Sequence, residues 1–363
     1  MRAKLLSMAV VIALTVYTGG LAAAAMLSPG DILVADAGPT GSGPGGIFKV
    51  DPSTGDRTVV SGFGVGTGPN FEDPIGITVT LGGDILVTDL SGDSIYRVDP
   101  SSGDRTLVSG PGVGAGPAFG GPGGIALGPA NSIVVTTAMT HEIAGFDVGD
   151  VYRVDLATGD RTTLSSTFLG IGTGPSLLRP VGVAIDTDGH ILVAEISDGE
   201  RILKVDPLTG NRSLLSGENV STGSDVGTGF DFAGPYGLVL EADGSLLVTD
   251  AVLNAIFRVD TATGDRSFMS GGGIGSGPPL QTPVGLAADI DGTIFVPDQG
   301  ANALYSIDPI TGDRTLLSGN GVGLGLDFTA PVFITVVPVP EPSTALLFIT
   351  GILLLAVMRR RRD

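Results

Sequence analysis

The chain has 363 residues, 42% of them hydrophobic, so it can bury one large all-β domain or two average ones, and with no Cys it has no disulfide or thiolate chemistry. Gly (59) and Pro (24) make up about 23% of it, which is rich in turns but short of low-complexity disorder. Without the first 25 and last 24 residues, 13 basic and 36 acidic residues remain, a net charge of −23 that repels nucleic acid and anionic headgroups and suits an extracellular protein or one that attracts cations.

Residues 1–4 make a short basic start, residues 5–21 are largely apolar, and residues 22–25 are four alanines. This is the three-part layout of a secretory signal (1–25), with cleavage by signal peptidase expected after Ala24 or Ala25. An uncleaved membrane anchor is the alternative.

Internal repetition dominates residues 26–337. A turn string recurs six times: Thr54-Gly-Asp-Arg57, Ser102-Gly-Asp-Arg105, Thr158-Gly-Asp-Arg161, Thr209-Gly-Asn-Arg212, Thr263-Gly-Asp-Arg266 and Thr311-Gly-Asp-Arg314. Successive spacings are 48, 56, 51, 54 and 48 residues, enough for four short strands with their turns, which is one propeller blade. In the second repeat, residues 74–80, 84–89, 94–99 and 105–109 alternate apolar and polar residues rich in Val, Ile, Tyr and Thr, and so predict four strands. Gly at the intervening turns supplies positive φ, and Asp and Ser bond their own backbone.

The ends of the array predict how it closes. First-strand strings begin at Pro74, Pro122, Pro180, Pro235, Pro283 and Pro331. The array opens at residues 31–36 with a second strand that has no first strand before it, and residues 331–337 are a first strand with nothing after it. Pairing the two completes blade one and removes an open sheet edge. The expected fold is therefore all-β: a six-bladed β-propeller with four-stranded blades, closed by a C-terminal strand completing the first. Two β-sandwiches would not explain complementary half-repeats, and a β-helix would need a shorter period. Phe333 stands where the other first strands carry Gly, so packing at the seam should differ. The strings PVGVAIDTDGHILVAE (180–195) and PVGLAADIDGTIFVPD (283–298) resemble the NHL-repeat and gluconolactonase-like six-bladed families over about 300 residues, through strand and turn patterns. The absence of Trp argues against propellers docked by Trp.

The most regular polar column ends each second strand: Asp36, Asp89, Thr137, Glu195, Asp250 and Asp298. Five carboxylates around a ring are candidate oxygen ligands for Ca²⁺ or another divalent cation. In the gluconolactonase-like group the resemblance implies a cation that polarises a lactone carbonyl, although no matching Asn ligands can be placed here. Otherwise each carboxylate braces loop amides in its own blade, which regular repetition favours, and then no cofactor is needed. Residues 186–189 and 289–292 look like calcium-loop starts but align with an ordinary hairpin turn. The Gly-rich strings at 64–69, 112–117, 170–175 and 273–278 lack a following Lys-Ser or Lys-Thr pair and a helix, so they read as blade connectors followed by apolar plugs Phe71, Phe119 and Leu177. The repeated Arg is expected to pair with nearby Asp on the exposed outer rim, where such pairs contribute little. Of the two histidines, His190 falls at a hairpin turn, and His141 falls with Glu142 and Asp147 in an irregular insertion, 137–149, expected as a solvent-exposed loop. A second insertion, 218–231, is expected to add polar length on a connector.

Val339, Pro340, Glu341 and Pro342 precede an apolar run of fifteen residues, 344–358, and then Arg359, Arg360, Arg361 and Arg362. The run is shorter than the ~20 residues of a comfortable span. The four arginines would hold that end in the cytoplasm with the body outside. Segment 338–363 resembles the PEP-CTERM sorting signal, which implies transient inner-membrane insertion, an exosortase-type processing peptidase, and delivery to the surface or exopolysaccharide matrix of a Gram-negative bacterium. A plain C-terminal anchor is the alternative. The expectation for function is a non-catalytic surface or matrix propeller that binds a glycan, protein or small ligand. A metal-dependent lactonase-type hydrolase is the competing class, and a purely structural matrix component the third.

Overall fold

The computed structural model describes residues 27–39, 45–129, 131–143, 146–197, 199–219 and 223–338. The expected secretory signal, and Val339, Pro340, Glu341, Pro342 and Arg359 to Arg362 of the expected sorting signal, lie outside the described residues. Among the described residues no helix is long and apolar enough to cross a membrane.

Six antiparallel sheets form a six-bladed propeller. Blade 2 is representative, with strands Pro74–Val79, Ile85–Asp89, Ser94–Val98 and Arg105–Ser109 paired in sequence order. Blade 1 is closed as the half-repeats require: Pro331–Val336 pairs antiparallel with Ile32–Asp36, which continues to Gly46–Val50 and Arg57–Gly62.

The second strand of each blade shows why this arrangement needs its neighbours. Ile32, Leu33, Val34 and Ala35 are all 0% exposed, so both faces of the strand are covered. Side chains alternate across a strand. Accordingly Leu33 and Ala35 pack with Ile77 and Val87 of blade 2, while Ile32 and Val34 pack with Phe295 and Leu304 of blade 6. The core is thus a ring of apolar layers between successive blades. Phe71, Phe119 and Leu177 plug these layers from the connectors, each almost fully buried.

Near the axis, glycine sets the approach of adjacent first strands. A Cβ on Gly76 would collide with the Gly123 carbonyl, and one on Gly182 with the Tyr236 carbonyl. Thr88 Oγ1 accepts from the Gly76 amide at 2.8 Å and donates to the Gly123 carbonyl at 2.5 Å, tying blade 2 to blade 3. Thr136 and Thr249 repeat the bridge onto Val181 and Val284.

Three features differ from the sequence expectations. The insertion after Thr137 is not a loop but an extension of two strands, Ser132–Ile143 and Phe146–Asp155, whose pairing continues past Asp150 with His141 opposite Val148. The second insertion lengthens Arg212–Asn219 and adds a fifth strand, Ser224–Val226, to blade 4. The repeated arginines are not exposed rim residues, although two of them do pair with exposed acids, Arg57 with Asp327 at 3.0 Å and Arg266 with Asp225 and Asp231 at 2.9 and 3.2 Å. Arg57, Arg105, Arg212 and Arg266 are buried, and each one docks on the connector of the preceding blade. Arg105 Nε donates to the Pro69 carbonyl at 2.5 Å, and its Nη1 donates to Ser61 Oγ at 2.8 Å and the Val65 carbonyl at 3.0 Å. The same three kinds of acceptor receive Arg161, Arg212, Arg266 and Arg314, and Arg57 reaches Leu326, Ser318 and Val322 across the seam. The Asp of the motif works in the same direction, Asp104 Oδ1 accepting from the Thr67 amide at 2.7 Å.

Candidate axial binding site

Pro74 pairs with Asp89, so first strands begin and second strands end at the same end of the ring. The five ring carboxylates all lie there, at 0% exposure, with their oxygens committed to loop amides or a neighbouring side chain. Asp36 accepts from the amides of Gly38, Thr329 and Ala330 and from Thr329 Oγ1. Asp89 takes the amides of Glu72, Asp73 and Gly92. Asp250 takes those of Ala233, Gly234, Val252 and Leu253, and Asp298 those of Gln281, Thr282 and Ala301. Glu195 accepts from the Leu178 amide and from Arg201 Nε, each at 2.6 Å. Burial pushes the Glu195 carboxyl up, and Arg201 pulls it back. Each carboxylate therefore shapes the loop that enters its blade, and the structure does not bring three of them together around one point.

Blade 3 handles the same corner differently. Thr137 holds the position at which the other second strands end, and the carboxylate sits opposite, as Asp150 on the third strand. Asp150 Oδ2 accepts from the Tyr152 hydroxyl at 2.8 Å, and its buried Oδ1 has no partner. His141 Nε2 lies 3.6 Å from Asp150 Oδ2, and its ring stacks on Phe168 at 3.8 Å. Asp147 is exposed, and Glu142 is placed only through its backbone pairing with Asp147. His190 does sit in a hairpin turn, at the opposite end of the ring, where it forms with Asp186 and Asp188 a group within 4.8 Å. Lys204 Nζ, 2.8 Å from Asp186 Oδ2, already supplies a cation there.

The loops held by the ring carboxylates surround a cavity of about 600 Å³ on the axis. Its walls come from blades 1, 2, 5 and 6, with Glu72, Asp73 and Ser91 on one part and Thr282 and Gln299 on another. A second compartment of about 90 Å³ adjoins it, and Ile75 and Tyr236 line both. Arg179 and Phe333 line the smaller one. Phe333, from the seam, meets Tyr236 of a non-adjacent blade with ring centroids 5.8 Å apart. Where the other blades carry Gly, the closing strand thus puts an aromatic ring at the inner end of the mouth. Burial raises the Asp73 carboxyl, the Asp89 charge adds to that rise, and Ser91 opposes it. Burial also raises the Tyr236 hydroxyl, with Arg179 lowering it and Asp73 raising it.

The column that matters at this mouth precedes the repeated Pro: Asp73, Gly121, Arg179, Gly234, Thr282 and Ala330. Asp73, Thr282 and Ala330 line the larger compartment and Arg179 the smaller. Sequence reasoning passed over it, because the repeated residues on either side drew attention. Its signal is that it varies where its neighbours repeat.

No family model and no curated protein matches the chain. Solved structures are similar in fold. A chain of a nidogen/laminin complex aligns over 85% of this chain and 98% of its own length, at 17% identity and a TM-score of 0.61. A Bacteroides thetaiotaomicron protein of unknown function aligns over 82% of this chain and 77% of its own, at 17% identity and a TM-score of 0.55. A streptogramin B lyase aligns over 84% and 91%, at 18% identity and a TM-score of 0.50. At such identities the likeness extends to the propeller architecture alone.

Proposed function

We propose that the chain is an exported binding scaffold of the cell surface or exopolysaccharide matrix, holding a hydroxyl-rich ligand of the glycan kind in its axial mouth. The cavity of about 600 Å³ carries this reading. A half-buried carboxylate, a second carboxylate, hydroxyls and a carboxamide converge over an apolar floor that contains Tyr236. Carboxylates and amides accept and donate to sugar hydroxyls, while an aromatic face covers the C–H side of a ring. Export rests on the three-part N-terminal segment and on the Pro-Glu-Pro, apolar and arginine segments at the other end. Signal peptidase and an exosortase-type peptidase are the processing partners this implies.

Binding is tested by saturation-transfer NMR against neutral and acidic oligosaccharides, comparing the natural protein with Ile75→Trp, which fills the mouth. Binding that disappears in the variant is the expected result, and binding that survives it removes the mouth from the function. For export, mass spectrometry of the mature ends in hosts with and without an exosortase-type peptidase should show a C-terminus cut near Pro340 to Pro342 only in the former. An intact C-terminus in both would sink the sorting assignment.

A further inference from the structure

The axial mouth is not chemically uniform. Its carboxylates, Glu72 and Asp73, line the larger compartment, and among the described residues Arg179 is the one basic side chain lining either. Three observations bear on this arginine. Its backbone is left-handed, at φ 51°, a conformation that costs a residue other than Gly, Asn or Asp on the order of 1–3 kcal/mol. Its Nε is buried without a hydrogen-bond partner, as are those of Arg97 and Arg153, although the Arg179 side chain as a whole is 40% exposed and lines the mouth. The nearest carboxylate, Asp147 Oδ2, stands 3.9 Å from that nitrogen, beyond hydrogen-bond reach, on a side chain 46% exposed. The five repeated arginines described above by their full acceptor sets, and Arg57 at the seam, are by contrast fixed from both Nε and Nη1. A strained residue with an unmet buried donor, facing a cavity, is built for something that arrives from outside.

We infer that Arg179 is the anion-binding half of the mouth and that its ligand is an acidic sugar, whose carboxylate meets the guanidinium while its hydroxyls reach Asp73, Glu72 and Ser91. This rests on the reading of the mouth as a glycan site and narrows it. The planar guanidinium offers paired N–H donors in a fixed fork that matches the two oxygens of a carboxylate. Ile75 and Tyr236 line both compartments, so one ligand lying over them spans from the arginine to the acids. The surrounding body, at −23, repels anions in general. A part-exposed cation at the mouth, the one basic residue among the described residues that line it, therefore selects an anion that also has hydroxyls for the opposite wall over a simple anion.

The test is isothermal titration of the purified protein with two probes, a glucuronate trisaccharide and the neutral glucose trisaccharide of the same linkage. The uronate is expected to bind at least about tenfold more tightly, the value of one charge-assisted hydrogen-bonded contact. Arg179→Asn, in which Asn accepts the left-handed backbone, should abolish the preference, so that the uronate and the neutral sugar bind the variant with similar affinity. Arg179→Lys, keeping the charge without the fork, should fall between. Equal binding of both probes, unaltered in either variant, overturns the inference and leaves the glycan mouth standing. Failure of both probes to bind overturns the glycan mouth itself, and the arginine's role with it. A thermal midpoint in Arg179→Asn that is unchanged or raised, as relief of the backbone strain would make it, excludes unfolding as the cause of a loss.

Discussion

Replacing Arg57 with Ala tests whether the six arginines hold the ring together, because the same contacts occur once at the seam and again inside the chain. The guanidinium of Arg57 donates to the Leu326 carbonyl at 2.6 Å, to Ser318 Oγ at 2.8 Å and to the Val322 carbonyl at 2.9 Å, and lies 5.5 Å over the Phe328 ring. Its removal leaves these acceptors without their donor in a buried place, at about 1–3 kcal/mol for each group that water does not reach. Partial rehydration brings the total to about 3–5 kcal/mol. At roughly 2 °C per kcal/mol for a domain of this size, the midpoint should fall by about 6–10 °C.

Arg105→Ala removes the equivalent set and should lower the midpoint by a similar amount. The two differ in what the chain itself holds together. Arg57 meets its Nε acceptor across 269 residues and Arg105 across 36. Loop closure at the seam is dearer by about 2 kcal/mol. Once Arg57 is gone, the three N-terminal strands of blade 1 should open as a unit ahead of global unfolding. Hydrogen exchange followed by mass spectrometry should then show lost protection in residues 32–62 of Arg57→Ala and no such local loss in Arg105→Ala. Midpoints that fall by less than about 2 °C in both variants would refute a stabilising role for the arginines. Uniform loss of protection around the ring in Arg57→Ala would refute the seam as the weak point.

Asp73→Asn should stabilise the protein near neutral pH. Burial and the Asp89 charge raise the folded-state affinity of this carboxyl for a proton, so its ionisation opposes folding, and stability is lost as pH rises from the unfolded-state value through the raised one. The gain in midpoint should be present at about pH 7 and gone at about pH 3.5, where both states are protonated. A gain as large at the lower pH would mean that charge is not its source. The amide commitments of Asp36, Asp89, Glu195, Asp250 and Asp298 bear on the metal candidates. Thermal unfolding in EDTA and in millimolar Ca²⁺ should give the same midpoint. A rise of several degrees, the effect of a ligand at 100 times its dissociation constant (about 2.7 kcal/mol), would assign a cation to the ring and favour lactone chemistry.

The blade count and ring closure were legible because both are properties of order along the chain: six turns recurring every 48 to 56 residues, and two half-repeats that fit each other. The partner of the repeated arginine was not legible in this way. Arg105 begins a strand of one blade and its acceptors lie 36–44 residues upstream in the last strand and the connector of another, a contact that no local pattern encodes. The sign was present in the co-occurrence of two strings, since each Gly-Asp-Arg or Gly-Asn-Arg turn after the first is preceded by a connector that receives it, and the connector left over at the end of the chain receives Arg57. The glycines mark the same contact. Gly103 has φ 74°, and a Cβ on it would run into the Val60 carbonyl of the preceding blade. The extended hairpin of blade 3 was hidden because His141, Glu142 and Asp147 lack the apolar alternation of the other strands.

The mouth was hidden for a different reason. A residue before a repeated Pro has no meaning until the ring is built, after which six such residues stand around one axis. Columns that repeat in this chain are committed to holding it together: the second-strand carboxylates to loops, the threonines to the next first strand, the arginines to the preceding connector. A single binding site in a ring of six needs inequivalent residues. Asp73 and Arg179 are inequivalent in charge, and Phe333 departs from the Gly column of its neighbours. The blade 3 hairpin, lengthened past Thr137, brings Asp147 to 3.9 Å from Arg179. The displaced brace Asp150, the extended hairpin and the left-handed arginine therefore lie together, on the side of the mouth served by blades 3 and 4. Blade 2 carries the acids facing the larger compartment. The departures from the repeat gather at the end of the propeller where second strands finish, and that concentration, more than any one residue, marks which face of an otherwise regular ring does the binding.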